Sequence, residues 1–318
     1  MTGIAETTRT VLDRVRTVVV GMDEPLELAL GALLAGGHVL FEDVPGLGKT
    51  LAARSLAGAI GLDFRRLQCT PDMLPSDVTG SFVYAPGTGA FEFRPGPLFT
   101  GLLLADEINR TTPKTQSALL EAMAERQVTV EGQRFPLPDA FQVIATSNPI
   151  EYEGTYALPE AQLDRFMVRL GVGYPTVEHE ADILFRRVAR QSEKADVEAV
   201  IDQAGFLALQ QQIEGLHVDP DIVRYCVDLV RATRRDPAVA VGASPRASQA
   251  LLLLARSLAA MAGRDFVRPD DVKRVAVPVL AHRLTLTTEA WAAGTAPEAI
   301  VQRVVPTVPV PPTAESSR

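Results

Sequence analysis

The stretch Glu42-Asp43-Val44-Pro45-Gly46-Leu47-Gly48-Lys49-Thr50, continued by Leu51, holds the residue types that a phosphate group needs. Glycines at 46 and 48 let backbone N–H groups converge on phosphate oxygens. A helix starting just after them adds the partial positive charge of its N-terminus. In that setting Lys49 would reach the β- and γ-phosphates and Thr50 would ligate Mg²⁺. The usual spacing, G-x-x-x-x-G-K-[ST], asks for glycine at 43, where this chain carries Asp43. The bland alternative is a strand–turn–helix with incidental glycines.

Four further groups could join this chemistry. Leu102-Leu103-Leu104-Ala105-Asp106-Glu107 drives a strand into the core and delivers two carboxylates at its carboxyl end, where open α/β sheets bind their ligands. Asp106 would hold Mg²⁺ through water, and Glu107 would be general base to an attacking water. The alternative is a strand end with solvated acids. Asn148, after the run Gln142–Ser147, could orient a water without adding charge, or simply form an Asn-Pro turn with Pro149. Arg165 could stabilise developing charge in a neighbouring subunit's site, or pair within the chain to Asp164 or Glu160. In Gly242-Ala243-Ser244-Pro245-Arg246, Ser244 caps a helix, Pro245 takes its first position and Arg246 lies in its first turn. A cation there opposes the helix dipole, so a phosphate contact explains it better than local stability.

These residues need a scaffold that brings strand ends together. Short apolar runs at 38–41, 64–69, 101–105, 141–145 and 167–170 read as strands, with helical patterns at 50–60 and 115–125 between them. Continuous apolar strands alternating with helices imply a five-stranded parallel sheet covered on both faces. Two segments interrupt the rhythm: 81–99, rich in glycine, proline and aromatics, and 127–137, which alternates around Glu131-Gly132 and reads as a β-hairpin. After Pro175 the periodicity turns helical, at 177–191, 197–213, 219–234, 245–262 and 269–281. The spacing therefore predicts an α/β core over 1–176, a small all-α lid over 177–304, and a disordered proline-rich tail over 305–318.

Composition fits this reading. The chain has 318 residues, 47% hydrophobic and 22% charged, ordinary values for a globular protein large enough to fold without disulfides. No stretch approaches the roughly 18 uncharged apolar residues of a membrane span, and the N-terminus lacks an apolar signal region, so a cytoplasmic location is expected. Two distant cysteines read as reduced thiols, and four scattered histidines have no metal-ligand spacing. The net charge of −8 argues against a general nucleic-acid binder.

Taken together, the motifs resemble the AAA+ ATPases, and more narrowly the MoxR family in the helix-2-insert group. The phosphate loop matches that family's version, including the acid at Asp43. Thr70-Pro71-Asp72-Met73-Leu74-Pro75-Ser76-Asp77-Val78-Thr79-Gly80, Phe93-Arg94-Pro95-Gly96-Pro97-Leu98-Phe99 and Asp106-Glu107-Ile108-Asn109-Arg110 also match. The likeness runs from about Val19 to Leu284, with Ala157 standing where proline is expected. The resemblance implies that Asn148 is sensor 1, Arg165 the arginine finger and Arg246 sensor 2, acting in cis or in trans. It implies that Val20 and Gly21 border the adenine, that 81–99 is the helix-2 insert and that 127–137 is the pre-sensor-1 hairpin. These two insertions face the centre of a ring in such proteins. It further implies ATP and Mg²⁺ as cofactors, a homo-oligomeric, hexameric ring, a protein client and a von Willebrand factor A domain protein as separate adaptor. The role would be chaperone-like maturation of protein complexes or metal-cofactor insertion. Two other functions stay open at this level. A DNA-translocating motor is disfavoured by the acidic charge, and a nucleotide-switched scaffold with little turnover is disfavoured by the presence of Glu107.

Overall fold

The computed structural model describes residues 2–149, 155–192 and 195–311. Helices α1 (Thr2–Arg16) and α2 (Asp23–Leu34) precede strand β1 (Val39–Glu42); the phosphate loop then opens α3 (Lys49–Ala59), followed by β2 (Phe64–Gln68). A short α4 (Pro75–Thr79) leads into an antiparallel hairpin, β3 (Gly80–Ala85) and β4 (Ala90–Pro95). Next come β5 (Leu102–Asp106), α5 (Pro113–Glu125), a second hairpin of β6 (Gln127–Val130) and β7 (Gln133–Pro136), then β8 (Gln142–Ser147), α6 (Glu160–Leu163) and β9 (Val168–Leu170). The main sheet has the order β2-β5-β8-β1-β9, and every pairing in it is parallel. It is the α/β architecture that the apolar runs imply.

Burial explains why those runs are continuous. Along β5, Leu102 and Leu104 join the apolar cluster on one face of the sheet, while Leu103 and Ala105 join the cluster on the other. All four are fully buried, as expected of a parallel strand covered on both sides. The loop glycines Gly46 and Gly48 take φ of 85° and 82°, the left-handed region that glycine enters without cost.

The remaining chain is mostly helical: α7 (Val177–Arg190), α8 (Gln203–Glu214), α9 (Pro220–Thr233), strand β10 (Val239–Val241), α10 (Pro245–Met261), α11 (Pro269–Leu280), strand β11 (Thr285–Leu286), α12 (Thr288–Ala292) and α13 (Pro297–Val304). Helices α8–α11 and α13 share one apolar cluster with α1–α3. The approach of α2 to α10 is close: a Cβ on Gly31 would lie 2.9 Å from Leu258 Cδ2.

Three expectations need correction. The helix expected over 197–213 begins only at Gln203, capped by Asp202 accepting from Gly205 N–H. Val197, Val200 and Ile201 mimic helical periodicity because they pack on the core, while Val200 N–H donates to Ala59 O. The tail expected to be disordered from 305 starts too early: Val305–Thr307 forms a 3-10 turn and Val308 is buried against the core. Residues 312–318 of that expected tail lie outside the described residues. Finally, Ser244 holds the N-cap position of α10 but its side chain accepts no cap bond; its hydroxyl is turned to donate to the Asp164 carboxylate, a charge-assisted bond.

The two hairpins are joined by aromatic rings. Phe93 of β4 stacks on Phe135 of β7 with centroids 3.9 Å apart and planes 14° from parallel. Phe82 of β3 lies tilted against both. Farther along the first hairpin, Tyr84 and Phe91 meet edge-on and are largely exposed. Among the described residues, no helix is long and apolar enough to cross a membrane.

Candidate active site

A cleft of about 240 Å³ opens at the carboxyl ends of β1, β5 and β8. Of the residues singled out from sequence, Pro45, Gly46, Gly48, Lys49, Thr50, Asp106, Glu107 and Asn148 line it. Val44, Leu47 and Leu51 belong to the same loop and helix without lining the cleft, and Val20 and Gly21 also lie outside it. Gly21 (φ 75°) abuts His179 of α7, leaving no room for a Cβ.

Asp43 has a clear local task. Its Oδ1 accepts from Val44 N–H (2.8 Å), and its Oδ2 accepts from Val172 N–H (2.8 Å) and Gly173 N–H (2.6 Å). An acid at this position therefore ties the phosphate loop to the chain leaving β9. Burial alone would raise the Asp43 carboxyl, but those three donors and the Lys49 ammonium outweigh it and hold it below its ordinary value. Lys49 donates to Asp43 O at 2.6 Å. Its ammonium is pushed down by burial, against the opposing pull of the Asp43, Asp106, Glu107 and Glu42 carboxylates.

The tie can be tested by pH. A carboxyl with a folded value below its unfolded one, about 3.9, stabilises the fold fully above the unfolded value. That contribution is lost as pH falls through the folded value. Asp43→Asn should cost about 1.5–3 kcal/mol at neutral pH, since an amide N–H₂ then faces backbone donors. The deficit, read by thermal unfolding, should shrink as pH drops below about 4. An equal deficit at pH 3 and pH 7 would argue against the tie.

Asp106 is held from both sides. Its Oδ1 accepts from Thr146 Oγ1 (2.7 Å), which in turn accepts from Glu107 N–H (2.8 Å). Its Oδ2 accepts from Thr50 Oγ1 (3.2 Å) and from Arg66 through Nη2 (2.7 Å) and Nε (3.0 Å). Glu107 sits at φ 58°, a left-handed conformation that non-glycine residues seldom adopt and that marks functional sites. Gln68 Nε2 donates to Glu107 Oε2 (3.0 Å), and Arg110 pairs with the same oxygen (3.3 Å). Asn148 is buried, with its carbonyl accepting from Asn109 Nδ2 (3.0 Å).

The oxygens of Thr50 and Asp106 converge as hard ligands suited to Mg²⁺. Among the described residues, no cluster of three or more His, Cys, Asp or Glu could hold a metal by itself. The donor set thus fits an ion that brings its remaining ligands from water and phosphate, as Mg²⁺ does.

Arg165 and Arg246 lie elsewhere. They line a second cavity with Arg126, Asp164 and Arg283, and none of its lining residues is shared with the cleft. The intra-chain ion pair considered for Arg165 is absent among the described residues. Asp164 is taken by Arg283 (2.7 Å) and Ser244, and Glu160 accepts from Thr285. Arg165 donates through Nη1 to Leu120 O (2.6 Å), and its buried Nε has no partner among the described residues. Arg283 also donates to the carbonyls of Asp164, Phe166 and Met167, so it braces the segment that presents Arg165.

Two family descriptions match the chain: the ATPase family associated with various cellular activities (AAA) over residues 38–168, and the AAA lid domain over 231–304. Chaperone MoxR1 of Mycobacterium tuberculosis is 44% identical over 93% of this chain and 80% of its own length. The chain belongs to the MoxR family of AAA+ ATPases. A further relative, YeaC of Bacillus subtilis, is 49% identical over 94% of this chain and 93% of its own. A solved Cytophaga hutchinsonii structure, described as that of a candidate ATPase, superposes with a TM-score of 0.90 at 38% identity, covering 97% of this chain and 96% of that one. As a MoxR-family member the chain binds nucleotide and hydrolyses ATP.

Sequence reasoning passes over Arg66, Gln68, Thr146 and Arg283. The nearest signal for the first two is the polar run Arg65-Arg66-Leu67-Gln68, where a strand pairs with the one carrying Asp106.

Proposed function

We propose that this MoxR-type ATPase works as a ring, hexameric in the pattern of its family, that uses ATP and Mg²⁺ to remodel a protein client. The observation that carries the reading is the separation of the two cavities. Arg165 and Arg246 share no cavity with Lys49, Asp106 and Glu107 of their own chain, so a second copy would have to complete each site. The separation supports a trans role for Arg165, and for Arg246 it favours trans over cis.

In the cleft, the loop N–H groups and Lys49 bind the β- and γ-phosphates, and Thr50 and Asp106 hold Mg²⁺. Held by Thr50 and Asp106, Mg²⁺ would supply positive charge against the phosphates. Glu107 takes a proton from the attacking water and Asn148 orients that water. Val20 and Gly21 border the adenine. The core spans 1–176 and the lid 177–304, with the hairpins at 81–99 and 127–137 reaching the client. The partner class follows the resemblance: a von Willebrand factor A domain protein as adaptor, in the cytoplasm. The chaperone name of the Mycobacterium relative favours complex maturation or metal-cofactor insertion over DNA translocation.

Lys49→Ala tests the base of this reading. It removes the only side-chain cation of the phosphate loop and should abolish nucleotide binding in calorimetry. The ring that wild type forms with a non-hydrolysable ATP analogue should be lost as well. Tight ATP binding by the variant would overturn the site assignment.

A further inference from the structure

Arg66 stands in an unusual place. It projects from β2, the edge strand of the sheet, toward the carboxyl end of β5. Both of its contacting nitrogens fall on the same atom, Asp106 Oδ2, at 2.7 and 3.0 Å. Asp106 Oδ1 is withheld from it by the buried Thr146 hydroxyl. The oxygen that Arg66 covers is therefore the one that faces Thr50 Oγ1. The Arg66 side chain is 50% exposed while that of Asp106 is 10% exposed, so the arginine can leave and the acid cannot.

The electrostatic setting gives this contact a purpose. Of the charged side chains that line the cleft, Asp106 and Glu107 are faced by Lys49 and Arg66, so without Arg66 the Lys49 ammonium would stand alone against two carboxylates where a polyanion must enter. The guanidinium supplies positive charge there without any metal. A divalent ion shared by Thr50 and Asp106 needs the same oxygen, and two cations at that range repel.

We infer that Arg66 occupies the cation position at Asp106 in the nucleotide-free protein and is displaced when Mg²⁺ arrives with nucleotide, so that it sets the magnesium dependence of nucleotide capture. This rests on the reading of the cleft as the Mg²⁺–nucleotide site. Arg66 is a positioning residue that acts through Asp106. Its release also frees Gln68, whose Oε1 accepts from Arg66 Nη2 (2.6 Å) while its amide donates to Glu107.

The test is nucleotide affinity rather than turnover. Binding of a fluorescent ADP analogue is titrated in EDTA and in saturating Mg²⁺ for wild type, Arg66→Ala, Arg66→Gln and Arg66→Lys. Without the guanidinium, metal-free ADP should bind more weakly, while Mg²⁺–ADP no longer has a competitor to displace. The ratio of the two dissociation constants should rise within the roughly 5–150-fold span of site-to-site coupling. The Mg²⁺ concentration at half-saturation should fall in step. Arg66→Lys keeps the charge on a single point and should lie between wild type and alanine. If Arg66 only supports the edge strand, both affinities weaken together, and a ratio within about twofold of wild type in the soluble variants overturns the inference. The alanine and glutamine variants guard against misfolding of either one. Wild type binding no ADP, or binding it equally with and without Mg²⁺, overturns the cleft reading and this inference with it. A magnesium-dependent wild type with unmoved variants removes the Arg66 inference alone.

Discussion

Arg165→Ala will bind nucleotide almost normally and lose hydrolysis, by about 10³–10⁵-fold if its role matches that of other arginine fingers. The structure leaves this side chain prepared for such a role. Its carboxylate neighbours are engaged by Arg283, Ser244 and Thr285, and its buried Nε has no partner among the described residues. A finger in trans also makes activity a property of the assembly, which mixing can expose. Glu107→Gln subunits donate an intact Arg165 but own a dead site. Arg165→Ala subunits own an intact site but receive no finger from their own kind. In mixed rings some interfaces join a good finger to a good Glu107, and part of the turnover should return. A purely local role for Arg165 predicts no rescue. If the mixture gives the weighted mean of the separate variants while subunit exchange is shown independently, the trans finger is excluded.

The second large effect is expected at Glu107. Glu107→Gln should hold ATP and hydrolyse it about 10²–10⁴-fold more slowly, the usual loss when a general base is removed. The substitution keeps length and shape, so the backbone at φ 58° and the bond from Glu107 N–H to Thr146 need not change. Unchanged thermal unfolding together with retained ATP binding would assign the loss to proton transfer. Turnover near that of wild type would mean that the water is activated by another group.

How much of this was legible in the sequence depends on how local each feature is. The phosphate loop, Asp106 with Glu107, and the five strands are contiguous, so residue type and spacing carry them. Arg66 and Gln68 reach Asp106 and Glu107 only because β2 lies beside β5 in a particular register, and no spacing along the chain encodes that neighbour. Thr146 reads as one more residue of a buried strand until β8 is placed next to β5. Asp43 shows a departure from the usual loop, but its partners Val172 and Gly173 leave β9, which lies beside β1 though it is far away in sequence. The false helix over 197–202 arose from the same limit, because apolar residues facing a core look alike whether the backbone is helical or held by a bond such as Val200 N–H to Ala59 O.

The stack of Phe93 on Phe135 carries a lesson for anyone building chimeras from this family. Two loops that look independent on paper are a single cartridge. Grafting a relative's 81–99 segment without its 127–137 segment would set a foreign surface against Phe135. The mismatch would leave either a void or a clash, each typically costing about 1–3 kcal/mol or more. By the same packing, a change of ring size at Phe82 or Phe93 should call for a matching change at Phe135, which a paired-substitution thermal-unfolding series would read as non-additive.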